Sequence, residues 1–251
     1  MKGNILAGGS GTRHYPLTKS ISKQLLPVYD KPMIFYPLSV LIRAQIQDIL
    51  IIVKPEEEGN FRKIIGDGSK WNVNIDFLTQ DKPSGIAEAL IIADDWLNES
   101  KSMLILGDNL FFGQGLKDIL LKTFKKESGA TIFGYQVADP ERYGVVDFDD
   151  NGNVLSLEEK PILPKSNYAV TGLYFYPNDV INKVDDVTPS DRGELEITSL
   201  NEMYLLEQRL EVEIMGRGYA WLDTGTHENL LEASTFIENY REETGAEGCL
   251  Y

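Results

Sequence analysis

Residues 3–13, Gly3-Asn4-Ile5-Leu6-Ala7-Gly8-Gly9-Ser10-Gly11-Thr12-Arg13, decide how this chain folds. A short apolar run that empties into glycines predicts a buried strand whose carboxyl end opens into a loop with exposed backbone N–H groups. Such a loop suits a polyphosphate. Glycine lets the main chain turn through positive φ and approach a ligand closely, consecutive N–H groups form an anion-binding concavity, and Arg13 adds a fixed positive fork. The spacing Gly9-x-Gly11-x-x-His14 lacks the third glycine of the dinucleotide fingerprint and no Gly-Lys-Ser/Thr follows, so neither common nucleotide loop is matched. Standing alone, the stretch reads equally well as a plain glycine-rich turn.

Working outward, Leu38, Leu41, Ile42 and Gln45 fall at helical spacing within 36–47, and Ile49-Leu50-Ile51-Ile52-Val53 is a buried strand. Phe61, Ile64 and Ile65 mark a short second helix, and 73–78 alternates as a strand. Ile86, Ala87, Leu90, Ala93 and Leu97 share one face of a third helix, followed by a buried strand over 102–107. Strand and helix alternating in this way predict an α/β fold, a doubly wound and mostly parallel Rossmann-like sheet up to about residue 140. Ligands in such sheets sit beyond the carboxyl ends of the strands, where both the glycine loop and Asp108 fall. Short strands over 130–137, 144–149, 154–158 and 169–176 follow, expected to cover the open end of the sheet as an inserted mixed-β part. A helix over 194–206, a strand over 210–215 and a closing helix over 227–240 complete the chain, with Thr226 a candidate N-cap. The expected organisation is one domain over 1–251, with a nucleotide-binding part at 1–140, a sugar-phosphate part at 141–226 and a C-terminal helix and tail at 227–251.

Composition narrows the class. With 251 residues, 42% hydrophobic and 25% charged, the chain can bury a substantial core. A net charge of −15 argues against a nucleic-acid partner, which needs basic surface to neutralise phosphates. No apolar run approaches a membrane span and the start is not that of a signal sequence, so a cytoplasmic location is expected. The single Cys249 excludes an intrachain disulfide, and the only histidines, His14 and His227, have no partner at metal-ligand spacing and read as structural. An acidic protein that binds phosphates must overcome repulsion locally, and Arg13, Lys23, Lys160 and Arg192 are the candidate cations.

The run from Gly8 to Pro37, GGSGTRHYPLTKSISKQLLPVYDKPMIFYP, makes the loop specific. Leu106-Gly107-Asp108-Asn109, the Glu141 to Val146 segment, Ser156 to Pro161, Asn167 to Tyr174, Arg192 to Thr198 and Trp221 to His227 follow in order. Together they resemble the sugar-phosphate nucleotidylyltransferases, most closely those that transfer a thymidylyl group, over nearly the whole chain. Two departures stand out. His14 occupies a position where the family usually has leucine, and members often carry further C-terminal helices with no counterpart here, the pattern of a short form.

The resemblance implies the nucleotide-diphospho-sugar transferase fold. It also implies a Mg²⁺-dependent displacement in which dTTP and α-D-glucose 1-phosphate give dTDP-glucose and pyrophosphate, a first step towards dTDP-rhamnose or related dTDP-sugars. No protein nucleophile is needed, because the sugar phosphate already carries a nucleophilic oxygen and pyrophosphate leaves readily. Asp108 and Asp223, each after an apolar strand-like run, match the metal aspartates; magnesium needs hard oxygen ligands and one or two carboxylates suffice beside substrate phosphate. Arg13 and Lys23 match triphosphate contacts, and Lys160 matches the lysine that holds the sugar phosphate. Leu6, Gly8, Gly9, Gly11, Thr12, Gln24, Gln80, Pro83 and Gly85 match the nucleotide site, with the Gln80 amide able to donate and accept at the imide edge of thymine or uracil. Asn109, Tyr143, Gly144, Glu159, Val170, Arg192 and Trp221 match the sugar side, where Tyr143 reads equally as a core aromatic. Only small substrates are expected as partners, with neither nucleic acid nor membrane, and a homotetramer follows from the resemblance alone. The same chemistry with UTP or another sugar 1-phosphate, and a non-catalytic nucleotide-sugar sensor, are the competing expectations.

Overall fold

The computed structural model describes residues 1–126 and 128–244; Cys249 lies outside them. The first half of the chain forms β1 (Lys2–Leu6), a small hairpin of β2 (Pro27–Val28) and β3 (Lys31–Pro32), β4 (Asp48–Val53), β5 (Asn74–Thr79), β6 (Ser102–Leu106) and β7 (Asn109–Gly113). Helices α1 (Phe35–Arg43), α2 (Glu58–Ile65), α3 (Glu88–Ile92) and α4 (Asp94–Leu97) lie between them. The second half adds α5 (Leu116–Phe124), β8 (Ala130–Gln136), β9 (Gly144–Phe148), β10 (Val154–Glu159), β11 (Tyr168–Tyr176), α6 (Val180–Val184), α7 (Ile197–Leu206), β12 (Leu210–Met215), β13 (Tyr219–Asp223) and α8 (His227–Thr244).

The central strand is β1, flanked in parallel by β4 and β6, with β5 parallel beyond β4. Ile49 to Val53 are completely buried, as a parallel strand covered on both faces requires. Ile5, Ile51 and Ile105 point into one apolar layer with α1, while Leu50, Ile52 and Leu104 point into the opposite one with α3 and α7. The parallel part expected over the first half is therefore found. The later strands do not form a separate cover. β11 pairs antiparallel with β6 and with β8, β12 runs parallel to β8, and the result is one continuous nine-stranded sheet. Period-two patterning says which residues alternate but not which edge a strand joins, so the sequence alone could not place them.

Three helices depart from expectation, and one strand and one helix carried no expectation at all. α1 stops at Arg43 because Gln45 takes a left-handed backbone with φ +63°, so Gln45 is not helical. The expected helix over 86–97 breaks at Ala93 into α3 and α4. α7 begins at Ile197 rather than Glu194, since Leu195 pairs with the 84–87 segment: its N–H donates to the Ser84 carbonyl at 2.7 Å and its carbonyl accepts from Ala87 at 3.1 Å. β7 and α5 carried no strand or helix expectation. β7 pairs antiparallel with β13 as a separate ribbon, and α8 packs over it through Phe112, Phe236 and Tyr240. Thr226 caps α8, accepting from the Asn229 N–H at 3.2 Å.

Candidate active site

Neighbouring registers create the site. Leu6 of β1 pairs with Leu106 of β6, so the glycine loop and Gly107-Asp108 leave the sheet side by side. The Gly107 N–H donates to the Leu6 carbonyl at 2.9 Å, and a Cβ on Gly107 would lie 3.0 Å from both that oxygen and Gln24 Cγ. Asn109 of β7 pairs with Asp223 of β13, and the Thr224 N–H and hydroxyl both reach the Asp108 carbonyl, at 3.1 and 2.7 Å. Two aspartates more than a hundred residues apart in sequence thus share one cleft wall.

The cleft has two connected lobes, of about 300 and about 500 Å³, that share Arg13, Asp108, Glu159 and Lys160. Leu6, Gly9, Gly11, Thr12 and Lys23 line the first lobe, as do Gln24, Gln80, Pro83 and Gly85. Gly8 stands just behind, where a Cβ would lie 2.5 Å from Gln80 Oε1. Asn109, Tyr143, Gly144, Val170, Arg192 and Trp221 line the second lobe with Asp223. The other candidate site residues line this one cleft, and Tyr143 is a half-buried wall residue packed edge-on to Trp221 at 5.2 Å. His14 is completely buried beneath the loop, its ring tilted against His227 with centroids 5.3 Å apart.

Charge is arranged unequally across the two aspartates. Lys23 is ion-paired to Asp108, and Asn109 Nδ2 donates to its other oxygen at 3.0 Å. Burial alone would push the Asp108 carboxyl up, but the Lys23 charge and these hydrogen bonds outweigh it and hold the group below the usual range. Asp223 has no such compensation. Burial, and then the negative charge of Asp108, push it up to about 6 against the weaker pull of Lys23, Arg13 and Arg142. Gly225 keeps the space beside it open, since a Cβ there would come within 3.1 Å of the Asp223 carboxylate and 3.3 Å of the Arg13 guanidinium. Two hard-oxygen donors that repel one another on one wall of a polar cleft fit a divalent cation, whose charge would relieve that repulsion. Among the described residues no third acidic, histidine or cysteine ligand joins them. Phosphate oxygens and water would have to complete the shell.

In the second lobe Glu159 is clamped at both oxygens. Thr198 Oγ1 donates to Oε2 at 2.6 Å, and Arg192 and Lys160 approach Oε1 at 3.3 and 3.2 Å. Arg192 also donates to buried Glu196 at 2.8 Å. Lys160 has φ +45°, a left-handed conformation that a residue before proline strongly disfavours. Sequence reading named only Arg192 from the Arg192 to Thr198 motif and passed over Glu196 and Thr198. Their signal was the motif itself, but nothing in it said which side chains turn inward. Asn109 is a further hub: its Oδ1 accepts from Trp221 Nε1 at 2.7 Å and from Gly172 N–H at 3.0 Å, inside an irregularity of β11 between Val170 and Tyr174.

The fold is of the nucleotide-diphospho-sugar transferase type, with a glycine-rich loop at one end of the cleft and a polar lobe at the other. The nucleotidyl transferase family model matches residues 2–240. A glucose-1-phosphate thymidylyltransferase of Xanthomonas campestris pv. campestris is 56% identical over 248 residues, covering 99% of this chain and 84% of the relative. Those of Neisseria gonorrhoeae and Mycobacterium tuberculosis are 55% and 53% identical, covering 95% and 98% of this chain and 83% and 85% of theirs. A crystal structure of a Bacillus anthracis protein assigned to the same activity, in complex with sucrose, superposes with a TM-score of 0.89 at 39% identity over 95% of this chain and 96% of that one. A UDP-glucose pyrophosphorylase with UDP-glucose shares the fold alone, at 23% identity and a TM-score of 0.83 over 96% and 99% of the chains. This chain belongs to the nucleotidyl transferase family.

Proposed function

We propose that the protein transfers a thymidylyl group from dTTP to α-D-glucose 1-phosphate, releasing dTDP-glucose and pyrophosphate. The observation that carries this reading is the single cleft in which the glycine loop and the Glu159-Lys160 corner meet at Asp108. A triphosphate laid along Gly9 to Arg13 has its α-phosphorus near that meeting point, and a sugar phosphate held by Lys160 approaches it from the second lobe. Attack of the sugar-phosphate oxygen on the α-phosphorus breaks the bond to the bridging oxygen of pyrophosphate, so no proton or covalent enzyme intermediate is needed. The chain's task is alignment and charge neutralisation. Arg13 and Lys23 hold the leaving phosphates, while Glu159, oriented by Thr198, accepts from sugar hydroxyls. Tyr143 and Trp221 wall the sugar lobe. Asp108 and Asp223 would hold a Mg²⁺ ion, which supplies a fixed positive charge for phosphate oxygens. The family resemblance further supports a cytoplasmic homotetramer serving dTDP-sugar supply; no helix among the described residues is long and apolar enough to cross a membrane.

The test is release of pyrophosphate from dTTP and glucose 1-phosphate by purified protein with Mg²⁺. Product formation that needs both substrates is expected, and its absence overturns the reading.

A further inference from the structure

His14 lines the first lobe without solvent exposure, and among the described residues neither of its ring nitrogens has a hydrogen-bond partner. A buried imidazole that forgoes both bonds costs stability that an apolar side chain of similar bulk would not. Its surroundings are one-sided. Arg13 precedes it in the loop, Lys23 acts on it from the next turn, and His227 stands against it at the start of α8. Acidic groups on these elements are already engaged: Asp108 is paired to Lys23, Asp223 lies beside the Arg13 guanidinium across Gly225, and Glu228 is bonded at the start of α8. In the free protein burial, then the charges of Lys23 and His227, hold the His14 ring below its usual range. The Thr226 backbone favours a charged ring but does not reach hydrogen-bond geometry. The ring is also tied to the loop, since His14 closes the 12–14 turn and its backbone N–H donates to the Gly11 carbonyl at 3.0 Å.

Resting on the placement of the triphosphate along Gly9 to Arg13 proposed above, we infer that His14 is a proton-linked binding residue for polyphosphate. It takes a proton from solvent onto a ring nitrogen when the loop is occupied and returns it when the ligand leaves. A triphosphate or a pyrophosphate stays net negative even with one Mg²⁺ bound. Laid on a loop whose underside is poor in water, that charge opposes the field of the surrounding cations and favours the imidazolium. Arg13 and Lys23 then gain one further positive charge that exists only in the occupied site. By linkage, the proton tightens the polyphosphate as much as the polyphosphate tightens the proton. Glucose 1-phosphate in the second lobe is outside this coupling, because His14 does not line that lobe.

The chain has two histidines, so ring signals of protein labelled with ¹⁵N-histidine can be followed from about pH 5 to about pH 9, and His227→Gln assigns them by leaving His14 alone. Saturation with inorganic pyrophosphate and Mg²⁺ is expected to move the His14 titration midpoint up by about one pH unit or more. His14→Leu keeps the bulk and discards the charge. It should bind pyrophosphate about tenfold more weakly than the wild type near pH 6 and about equally near pH 8. An unmoved His14 midpoint overturns the inference, as does a loss in His14→Leu that is the same at both pH values, the mark of a merely structural ring. Wild-type protein that binds neither pyrophosphate nor dTTP instead sinks the nucleotidyl-transfer reading.

Discussion

Asp223 is the residue at which stability and chemistry oppose one another. A carboxyl whose folded pKa is raised, here to about 6 by burial and by Asp108, favours the fold while protonated and loses that contribution as pH climbs through the folded value. Replacing it by asparagine removes the liability at almost constant volume. In metal-free buffer Asp223→Asn should therefore stabilise the protein by about 2 kcal/mol near pH 8 and far less near pH 4, read as a shift in urea midpoint. The same variant should lose about two orders of magnitude or more in turnover with Mg²⁺. Equal stabilisation at both pH values, or full turnover, counts against the unequal charging of the two aspartates.

Among elements, the 84–87 segment and the start of the Arg192 to Thr198 motif form the joint between the two lobes. Gly85 has φ +114°, and a Cβ there would come within 2.3 Å of the Leu195 carbonyl oxygen and 2.5 Å of its nitrogen. Backbone atoms on both sides leave nothing to yield. Gly85→Ala should therefore push the two segments apart, raising KM for dTTP and for glucose 1-phosphate together and lowering the melting temperature by several degrees. A rise in one KM alone would show that the lobes are not joined there. By resemblance the sequence marked Gly85 as a nucleotide contact but could not disclose Leu195 behind it. That contact spans about a hundred residues and depends on α7 starting three residues later than its apolar spacing suggests.

For the whole molecule, α8 does more than close the chain. It covers the β7–β13 ribbon through Ala233 and Ile237, both buried, against Leu110, Phe112, Met33 and Tyr36. The ribbon also carries Asn109 and Asp223 in register, so the packing of the last helix supports the acidic pair from behind. Phe112→Ala, which empties the centre of that aromatic cluster, should cost about 3 kcal/mol in chemical denaturation. It should also weaken activity more than an equally destabilising cavity in the α2 layer, such as Phe61→Ala. Equal activity losses at equal stability would mean that the ribbon is not a specific support.

Local chemistry was enough to read much of this protein. The strand at 3–7 emptying into glycines, the apolar run at 49–53 and Leu106-Gly107-Asp108 each announce themselves through neighbours in sequence, because burial and φ preferences act within a few residues. Those stretches alone determined the parallel half of the fold and one end of the cleft. Which way side chains turn once strands pair was left to the tertiary structure. Asp223 meets Asp108 only because two strands a hundred residues apart choose one register, Asn109 is pulled inward by Trp221 and Gly172, and Gln80 is oriented by Glu88, which no motif marks. Pairing edges, registers and amide orientations follow from contacts distant in the chain, and a linear pattern carries no term for them.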